Sequence, residues 1–324
     1  MVSKYWRLAS VVLAVILVSL LLASYMWLFS RERSSGVTEK PVSLTIGLLP
    51  IIDSIPFIIA DVEGLYAKYG LNVTLKFFGS ARDRDAAFTT GLVDVAVNDP
   101  ITTLILADKG VDVKIVSLLL GESPRDGVFY MLASPNSNVS VGEIRRVAVS
   151  RNTIIEFAAW IMLERLGLDP KRVELVDIPA IPVRFQALIE GSVEVAVLPD
   201  PWGSLALAKG ARLIASDDMF GEPITMSVVV ARSSIAGNTD IIRRLLGALN
   251  EALELYKANP EKYRRVVEEK IFIPEELRGK WLPTWEGRIT VYPESNFNLV
   301  ARWLYERGLI KAIPSYDMLV VRVY

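Results

Sequence analysis

An internal repeat constrains this chain more than any other feature of its sequence. Residues 87–97 (AFTTGLVDVAV) and 187–197 (ALIEGSVEVAV) align without a gap at a shift of 100 residues, and six of the eleven positions are identical. Each copy then reaches Asp-Pro, at Asp99 and at Asp200, and later Lys-Gly. Helix–Gly–strand sequences also recur by chance in α/β proteins. The shared Asp-Pro and Lys-Gly pairs nevertheless favour two equivalent units.

Apolar segments typical of strands alternate with helical segments through both copies. Strands are predicted at 43–49, 72–78, 93–97 and 113–117, and again at 146–150, 173–177, 193–198 and 211–215. Helices are predicted at 56–69, 83–90, 101–108, 154–166, 183–190 and 202–208. This alternation predicts an α/β fold of βαβ units with mostly parallel sheets.

A further strand at 224–231 and a helical tail follow the second copy. In the tail, Ile242, Leu246, Leu249 and Leu253 recur at the spacing of one helix face. We therefore predict a first lobe from 42–133 and 231–324, and a second lobe from 134–230. Two crossings between two lobes predict a hinge and a ligand cleft.

The N-terminal sequence predicts that the protein is anchored in a membrane. Lys4 and Arg7 precede 23 uncharged residues, 8–30, which is enough helix to span a bilayer. The bulky exit at 25–29 favours an uncleaved signal-anchor over a cleaved signal peptide. We predict a transmembrane segment at 1–30, a linker at 31–41, and a single-pass protein whose main domain lies on the extracytoplasmic side of the cell membrane.

The composition excludes several kinds of chemistry. The chain contains no histidine and no cysteine, which excludes Ser-His-Asp and Cys-His triads, Cys/His metal sites and disulfides. The formal net charge of −1 gives no indication of nucleic-acid binding. We expect neither a metal nor a cofactor.

Polar residues that follow strand ends are the candidate ligand-binding residues, because ligands of open parallel sheets sit beyond the carboxyl ends of the strands. The candidates are Asp53, Ser54, Ser80, Arg82, Asp99, Thr102, Thr153, Arg184, Asp200 and Trp202. The acids favour an amine-bearing or zwitterionic ligand, the arginines can grip an anion, and Trp202 is a candidate stacking wall. Several candidates also suit helix capping, Arg82 and Arg184 can pair with acids, and Trp202 can equally belong to the core.

Several segments carry a resemblance to a known family. They include 63–71 (EGLYAKYGL), 84–91 (RDAAFTTG), 198–201 (LPDP) and 303–309 (WLYERGL). From about Leu44 to Leu309 the chain resembles the solute-binding proteins of ABC importers in the nitrate/taurine/sulfonate group, which are related to thiamine-pyrimidine-binding proteins. A relative of that fold is a suicide enzyme that uses a histidine and a cysteine-rich motif, and this chain has neither.

The resemblance implies a type II periplasmic-binding-protein fold and a non-enzymatic function. The chain is expected to capture a small organic or anionic nutrient and to deliver it to an ABC permease with its ATPase, as a monomer. Two alternatives stay open: a ligand-sensing ectodomain, and an exported enzyme that uses Asp99 and Asp200 as an acid–base pair.

Overall fold

The computed structural model describes residues 41–221, 224, 226–273 and 275–323, together with Ser19 and Ser24. Apart from Ser19 and Ser24, the predicted membrane anchor at 1–30 lies outside the described residues, and so does the predicted linker except for Pro41. Within the described part of the chain, no helix is long and apolar enough to cross a bilayer. The folded unit begins at Pro41.

Two five-stranded sheets share one topology. The first has the order β2-β1-β3-β10-β4 and the second the order β7-β6-β8-β5-β9. The strands of the first sheet are β1 (Val42–Leu48), β2 (Leu71–Phe77), β3 (Val95–Asn98), β4 (Lys114–Leu120) and β10 (Ser227–Ala231). The strands of the second sheet are β5 (Phe129–Ala133), β6 (Arg146–Val149), β7 (Glu174–Asp177), β8 (Val195–Pro199) and β9 (Arg212–Ser216).

In each sheet, four strands run in one direction and one inserted strand runs antiparallel to them. β1 pairs in parallel with β2 and β3, and β6 pairs in parallel with β7 and β8. β10 enters the first sheet antiparallel to β3 and β4, and β5 enters the second sheet antiparallel to β8 and β9. The two sheets are therefore equivalent, as the sequence repeat predicted.

The chain crosses between the sheets earlier than predicted in both directions. Phe129–Ala133 belong to the second sheet, although the predicted first lobe runs to 133. Ser227–Ala231 belong to the first sheet, although the predicted second lobe runs to 230. Both strands are almost entirely buried, and a strand buried on both faces reads as an unbroken apolar run that does not reveal which sheet it joins.

Helices cover both sheets. The first lobe, defined here as the first sheet with its helices, holds α1 (Ile55–Val62), α2 (Leu65–Lys68), α3 (Ala81–Thr89) and α4 (Pro100–Asp108). The second lobe holds α5 (Ile154–Arg165), α6 (Ile181–Glu190) and α7 (Trp202–Ala208). Gly64, at a left-handed φ of 66°, separates α1 from α2, which were predicted as one helix.

The tail comprises α8 (Ser233–Ala236), α9 (Thr239–Ala258), α10 (Pro260–Lys270), α11 (Glu294–Glu306) and α12 (Tyr316–Leu319). Short 3₁₀ turns occur at Ile52–Ser54, Val141–Glu143, Pro170–Arg172, Asp217–Phe220 and Glu275–Leu277. Within the predicted helical tail, residues 275–277 form only the last of these turns. α9 packs on α1 and α2 of the first lobe, and its predicted apolar stripe is almost completely buried.

Two buried aspartates fix the crossing segments in place. In the first crossing, at 121–128, the Asp126 carboxylate accepts hydrogen bonds from the backbone N–H groups of Glu286 (2.7 Å) and Gly287 (2.9 and 3.0 Å) in the tail. In the second, at 217–226, Asp217 Oδ1 accepts from the N–H of Phe129 at the start of β5 (2.9 Å). The two crossings are thereby tied to the elements around them.

Candidate functional site

A cleft lies between the two lobes, at the carboxyl ends of their parallel strands. It contains about 700 Å³ of empty space, counted out to its open mouth. The polar lining consists of Asp53, Arg84, Asn98, Asp99, Ser150, Thr153, Arg184, Asp200 and Ser227. The rest is mostly apolar and includes Leu49, Ile51, Ile52, Leu120, Phe129, Ile154, Ile155 and Met226. A mostly apolar cleft with a few convergent polar groups is typical of small-molecule sites.

Of the ten candidate residues, five line this cleft: Asp53, Asp99, Thr153, Arg184 and Asp200. The other five do not: Ser54, Ser80, Arg82, Thr102 and Trp202. The rule of strand carboxyl ends thus finds the right edge of each sheet. It cannot separate the side chains that turn into the cleft from those that serve their own helix.

Asp99 and Thr153 cap helices at the same time as they line the cleft. Asp99 Oδ1 accepts from the Thr102 N–H (2.8 Å) and Oδ2 from the Thr102 hydroxyl (2.9 Å) at the start of α4. The Thr153 hydroxyl accepts from the Ile155 N–H at the start of α5 (3.2 Å) and donates to the Ser150 carbonyl (2.8 Å). Burial raises the pKa of Asp99 to about 6, although the hydrogen bond from the Thr102 N–H opposes the increase.

Asp200 is also held by protein donors. Its Oδ1 accepts from the Ser204 N–H (3.1 Å) and hydroxyl (2.7 Å), and its Oδ2 accepts from the Tyr130 hydroxyl (3.2 Å). Burial raises the pKa of this carboxyl, and the hydrogen bonds from Ser204 work in the opposite direction. Capping and lining are therefore combined in Asp200, as in Asp99.

Arg184 brings a buried cation to the second-lobe wall of the cleft. Its Nε donates to the Val197 carbonyl (2.8 Å) and its Nη1 to the Ile178 carbonyl (2.6 Å). Its Nη2 is buried and has no hydrogen-bond partner among the residues that the structure describes. The side chain is fully buried, and burial lowers its pKa to about 10. It stays charged at neutral pH, with one nitrogen left for another molecule.

Asp53 supplies the complementary group on the first lobe. Its Oδ1 is buried without a hydrogen-bond partner, and so is the nearby Ser227 Oγ. Burial raises the pKa of Asp53 to about 7, and the positive charge of Arg84 offsets part of that increase. Buried polar atoms in proteins are nearly always hydrogen-bonded, so unpartnered atoms on both walls of one cleft indicate places where a ligand bonds.

Arg84 and Asn98 line the cleft but were not among the candidates. Arg84 Nη2 donates to Asp85 Oδ1 (2.8 Å) and to Asn98 Oδ1 (2.5 Å), and Asn98 Nδ2 donates to Asp85 Oδ1 (3.0 Å). The sequence contains a pattern that could have identified Arg84. Arg84 shares the buried face of α3 with Ala87 and Phe88, at i+3 and i+4, whereas Arg82 does not.

Two of the candidates outside the lining connect the lobes instead. Arg82, which is largely exposed, donates from Nη2 to Asp177 Oδ2 at the end of β7 (2.9 Å). The Thr102 hydroxyl also approaches the Asn152 carbonyl of the second lobe (3.2 Å). These contacts join α3 to the end of β7 and α4 to the loop that follows β6.

The remaining candidates have local structural roles. The Ser54 hydroxyl donates to the Ile51 carbonyl (2.7 Å), and the Ser80 hydroxyl accepts from the Asp83 N–H (3.2 Å) at the start of α3. Trp202 packs against Phe185, with ring centroids 5.3 Å apart. The aromatic side chain in the lining is that of Phe129. Among the described residues, no cluster of carboxylates is arranged to hold a metal ion.

Curated proteins with similar sequences include two binding proteins. A putative ABC transporter periplasmic binding protein of Brachyspira hyodysenteriae is 23% identical over 264 residues, which cover 76% of this chain and 75% of that protein. The riboflavin-binding protein RibY of Chloroflexus aurantiacus is 22% identical over 271 residues, covering 78% of this chain and 75% of that protein.

Solved structures share the fold over nearly the whole described chain. The alkanesulfonate-binding protein SsuA of Xanthomonas axonopodis pv. citri, bound to MOPS, superposes with a TM-score of 0.72 at 18% identity, covering 88% of this chain and 99% of that chain. The desulfurization enzyme DSZB superposes with a TM-score of 0.63 at 14% identity, covering 87% of this chain and 96% of that chain. The two-lobed fold thus supports both binding proteins and an enzyme.

The family itself is established by sequence. The family model described as NMT1-like matches residues 37–269, which include all ten strands and the whole lining of the cleft. Together with the two-lobed periplasmic-binding-protein fold, this match shows that the chain belongs to the NMT1-like family.

Proposed function

We propose that this chain is the extracytoplasmic solute-binding component of an ABC importer. It captures a small nutrient that is zwitterionic, amine-bearing or anionic, and delivers it to the permease. One observation carries the proposal: the cleft receives buried polar atoms without protein partners from both lobes, at Asp53 and at Arg184. A ligand that bonds to both walls favours the closed arrangement of the lobes, because its affinity for that arrangement is higher.

The curated relatives support the same function. Both carry names of binding proteins, and one is named as a periplasmic component of an ABC transporter. Only one of the two names gives a ligand, riboflavin, so the ligand of this chain has to be established from its own cleft.

The proposal is tested on the full-length chain purified in detergent. A panel of small organic acids, amines, amino acids and inorganic anions is screened by thermal unfolding, and hits are confirmed by calorimetry. At least one class is expected to raise the melting temperature and to bind at one molecule per chain. If every class leaves the melting temperature unchanged, the chain is not a receptor for small nutrients.

An exported enzyme on the same scaffold is the second candidate. It is favoured by Asp99 and Asp200, which both line the cleft and whose pKa values burial raises. Both carboxylates are, however, engaged by protein donors at helix starts. We expect a bound compound to be recovered unchanged after prolonged incubation at the melting-assay concentration. A mass change that disappears in Asp99→Asn would favour the enzyme.

We also propose that residues 1–30 remain on the protein as a membrane anchor. The support is the 23-residue uncharged span with a bulky exit. Amino-terminal sequencing of protein purified from membranes is expected to begin at or near Met1. A mature start between about residues 31 and 40 would instead show a cleaved signal peptide.

A further inference from the structure

The cleft offers two unpartnered polar poles of opposite sign, one on each lobe. The first is the Asp53 carboxyl of the first lobe, whose buried Oδ1 has no hydrogen-bond partner among the described residues; the Ser227 hydroxyl, also without a partner, lies close enough to lower the pKa of Asp53. The second is Arg184 Nη2 of the second lobe. All three side chains line the same cleft. The other acids of the lining, Asp99 and Asp200, are each bonded through both oxygens.

Neither pole forms an ion pair within the described residues; Arg84 lowers the pKa of Asp53 and Asp177 raises the pKa of Arg184, but neither charge is bonded to its pole. Arg184 is fully buried, and among the described residues it makes no ion pair; its three hydrogen bonds go to backbone carbonyls, which carry no net charge. Arg84, the cation that influences Asp53, is itself bonded to Asp85 and Asn98. A buried charge without a counter-charge is costly, so each pole is suited to a ligand group of the opposite sign.

Most of the remaining cleft lining is apolar. Ile51, Ile52 and Leu120 contribute to it from the first lobe, and Phe129, Ile154 and Ile155 from the second. Such walls favour a ligand with an aliphatic or aromatic body, and polar recognition is then left to the two ends of that ligand.

We propose, on the basis of the function proposed above, that the ligand is a bipolar organic molecule with a cationic nitrogen at Asp53, an anionic group at Arg184 and an apolar body between them. Because the two poles belong to different lobes, such a molecule bridges the cleft and stabilises its closed arrangement. A bare anion or a simple amine engages only one lobe and contributes little to closure. Arg184 presents a single free nitrogen, so it contacts the anionic group end-on and not through a two-nitrogen fork.

The test uses matched compounds on the full-length chain in detergent at neutral pH. One set is 4-(aminomethyl)benzoate, 4-methylbenzoate and benzylamine, and the other is 5-aminovalerate, valerate and pentylamine. Nitrate and ethanesulfonate serve as bare anions. Binding is measured by thermal unfolding and calorimetry. Lobe closure is measured by energy transfer between dyes on cysteines introduced at Ala86 and Lys171, since the chain has no cysteine of its own.

The bipolar member of at least one set is expected to bind more tightly than both single-charge members and to bring the dyes closer together. Asp53→Asn and Arg184→Met are each expected to weaken it by roughly 30-fold or more. Glu174→Gln and Arg172→Met, which alter exposed charges of the second lobe, are the matched controls and should leave affinity unchanged.

Each other result overturns a distinct statement. If 4-methylbenzoate, valerate or the inorganic anion binds and closes the lobes as well as the bipolar compound, the ligand is an anion and the bipolar inference fails while the receptor function stands. If only the amines bind and close the lobes, the ligand is an amine and the bipolar inference also fails. Binding by no compound of any class contradicts the receptor function itself. Should Arg184→Met fail to fold, Asp53→Asn decides: unchanged affinity for a bipolar compound overturns the inference.

Discussion

At the scale of single residues, the polar groups of the cleft fall into two sets. One set is hydrogen-bonded within the protein, and the other has atoms without a partner among the described residues. Asp99, Thr153 and Asp200 line the cleft while they also satisfy the first turn of a helix or a neighbouring hydroxyl. Asp53 and Arg184 each retain a buried atom with no partner. Substitutions in the two groups therefore have different effects on stability and on affinity.

Asp99→Ala is expected to act mainly on stability. It removes the cap of α4, which typically costs about 1 kcal/mol, because the Thr102 N–H and hydroxyl lose their acceptor. Chemical unfolding should show this loss, whereas affinity for the best compound of the panel should change by less than about threefold, well under the loss expected of a direct charged contact. A drop in affinity comparable to that of Arg184→Met would place Asp99 in direct contact with the ligand.

Binding of an amine-bearing compound is expected to weaken as the pH falls below about 7. Burial raises the pKa of Asp53 to about 7, so the carboxylate that faces a cationic nitrogen becomes protonated in this range. Arg84 on α3 opposes this protonation and Asp99 at the start of α4 promotes it. Calorimetry across this pH range should show the change in the wild type. In Asp53→Asn, affinity should be lower and nearly independent of pH over the same range.

The side chains of the site were harder to predict than its position. The carboxyl ends of the strands predicted the position of both cleft walls, because this position follows from the sheet topology alone. Whether a side chain enters the cleft depends on its rotation about a helix, which places Arg84 inside and Arg82 outside although both lie in the first turn of α3. Trp202 was a candidate because it directly follows Asp-Pro at a strand end, but its ring packs on Phe185 within the second lobe. Tertiary packing decided these cases.

At the scale of elements, α3 and α4 meet the second lobe beside the cleft. The Arg82–Asp177 ion pair and the Thr102–Asn152 hydrogen bond are contacts that exist only while the lobes are together. The first-lobe partners, Arg82 and Thr102, lie in the first turns of α3 and α4, beside the cleft residues Arg84 and Asp99. The sequence identified Arg82 and Thr102 as important and assigned them to the ligand instead of to the other lobe.

Arg82→Gln is expected to speed ligand release with a small loss of affinity. The pair is largely exposed, and exposed ion pairs contribute up to about 1 kcal/mol, so the dissociation constant should rise by no more than about fivefold. Stopped-flow kinetics should show that most of this change lies in the rate constant of ligand release. Arg146→Gln is the control, because its ion pair with Glu174 is equally exposed but lies within the second lobe. Equal release rates in both variants would contradict a role in closure.

At the scale of the whole molecule, several buried carboxyl groups have raised pKa values. Burial raises the pKa of Asp53 to about 7, of Asp99 to about 6 and of Asp217 to about 8. In the unfolded chain these groups lose their protons near the ordinary value of 3.8. The folded protein therefore holds more protons than the unfolded chain from about pH 4 upward, and its stability falls as the pH rises through the three folded pKa values.

We expect the ligand-free protein to melt at least about 3 °C lower at about pH 8.5 than at about pH 5.5. Carboxyl groups in surface pairs, such as Glu251 with Lys68, have lowered pKa values and stay ionised over this whole range. Asp53→Asn should reduce the difference, since it removes one of the titrating groups. A melting temperature that rises with pH would show that these groups are ionised in the folded state throughout.

The antiparallel insertions also set the order in which the lobes can be completed during synthesis. All five strands of the second sheet lie between residues 129 and 216, so that sheet can form as soon as this segment has left the ribosome. The first sheet cannot, because β10 separates β3 from β4 and is made last. Until residue 231 emerges, β3 and β4 present unpaired inner edges that could bind another nascent chain. The lobe that begins first is thus the one that needs protection longest.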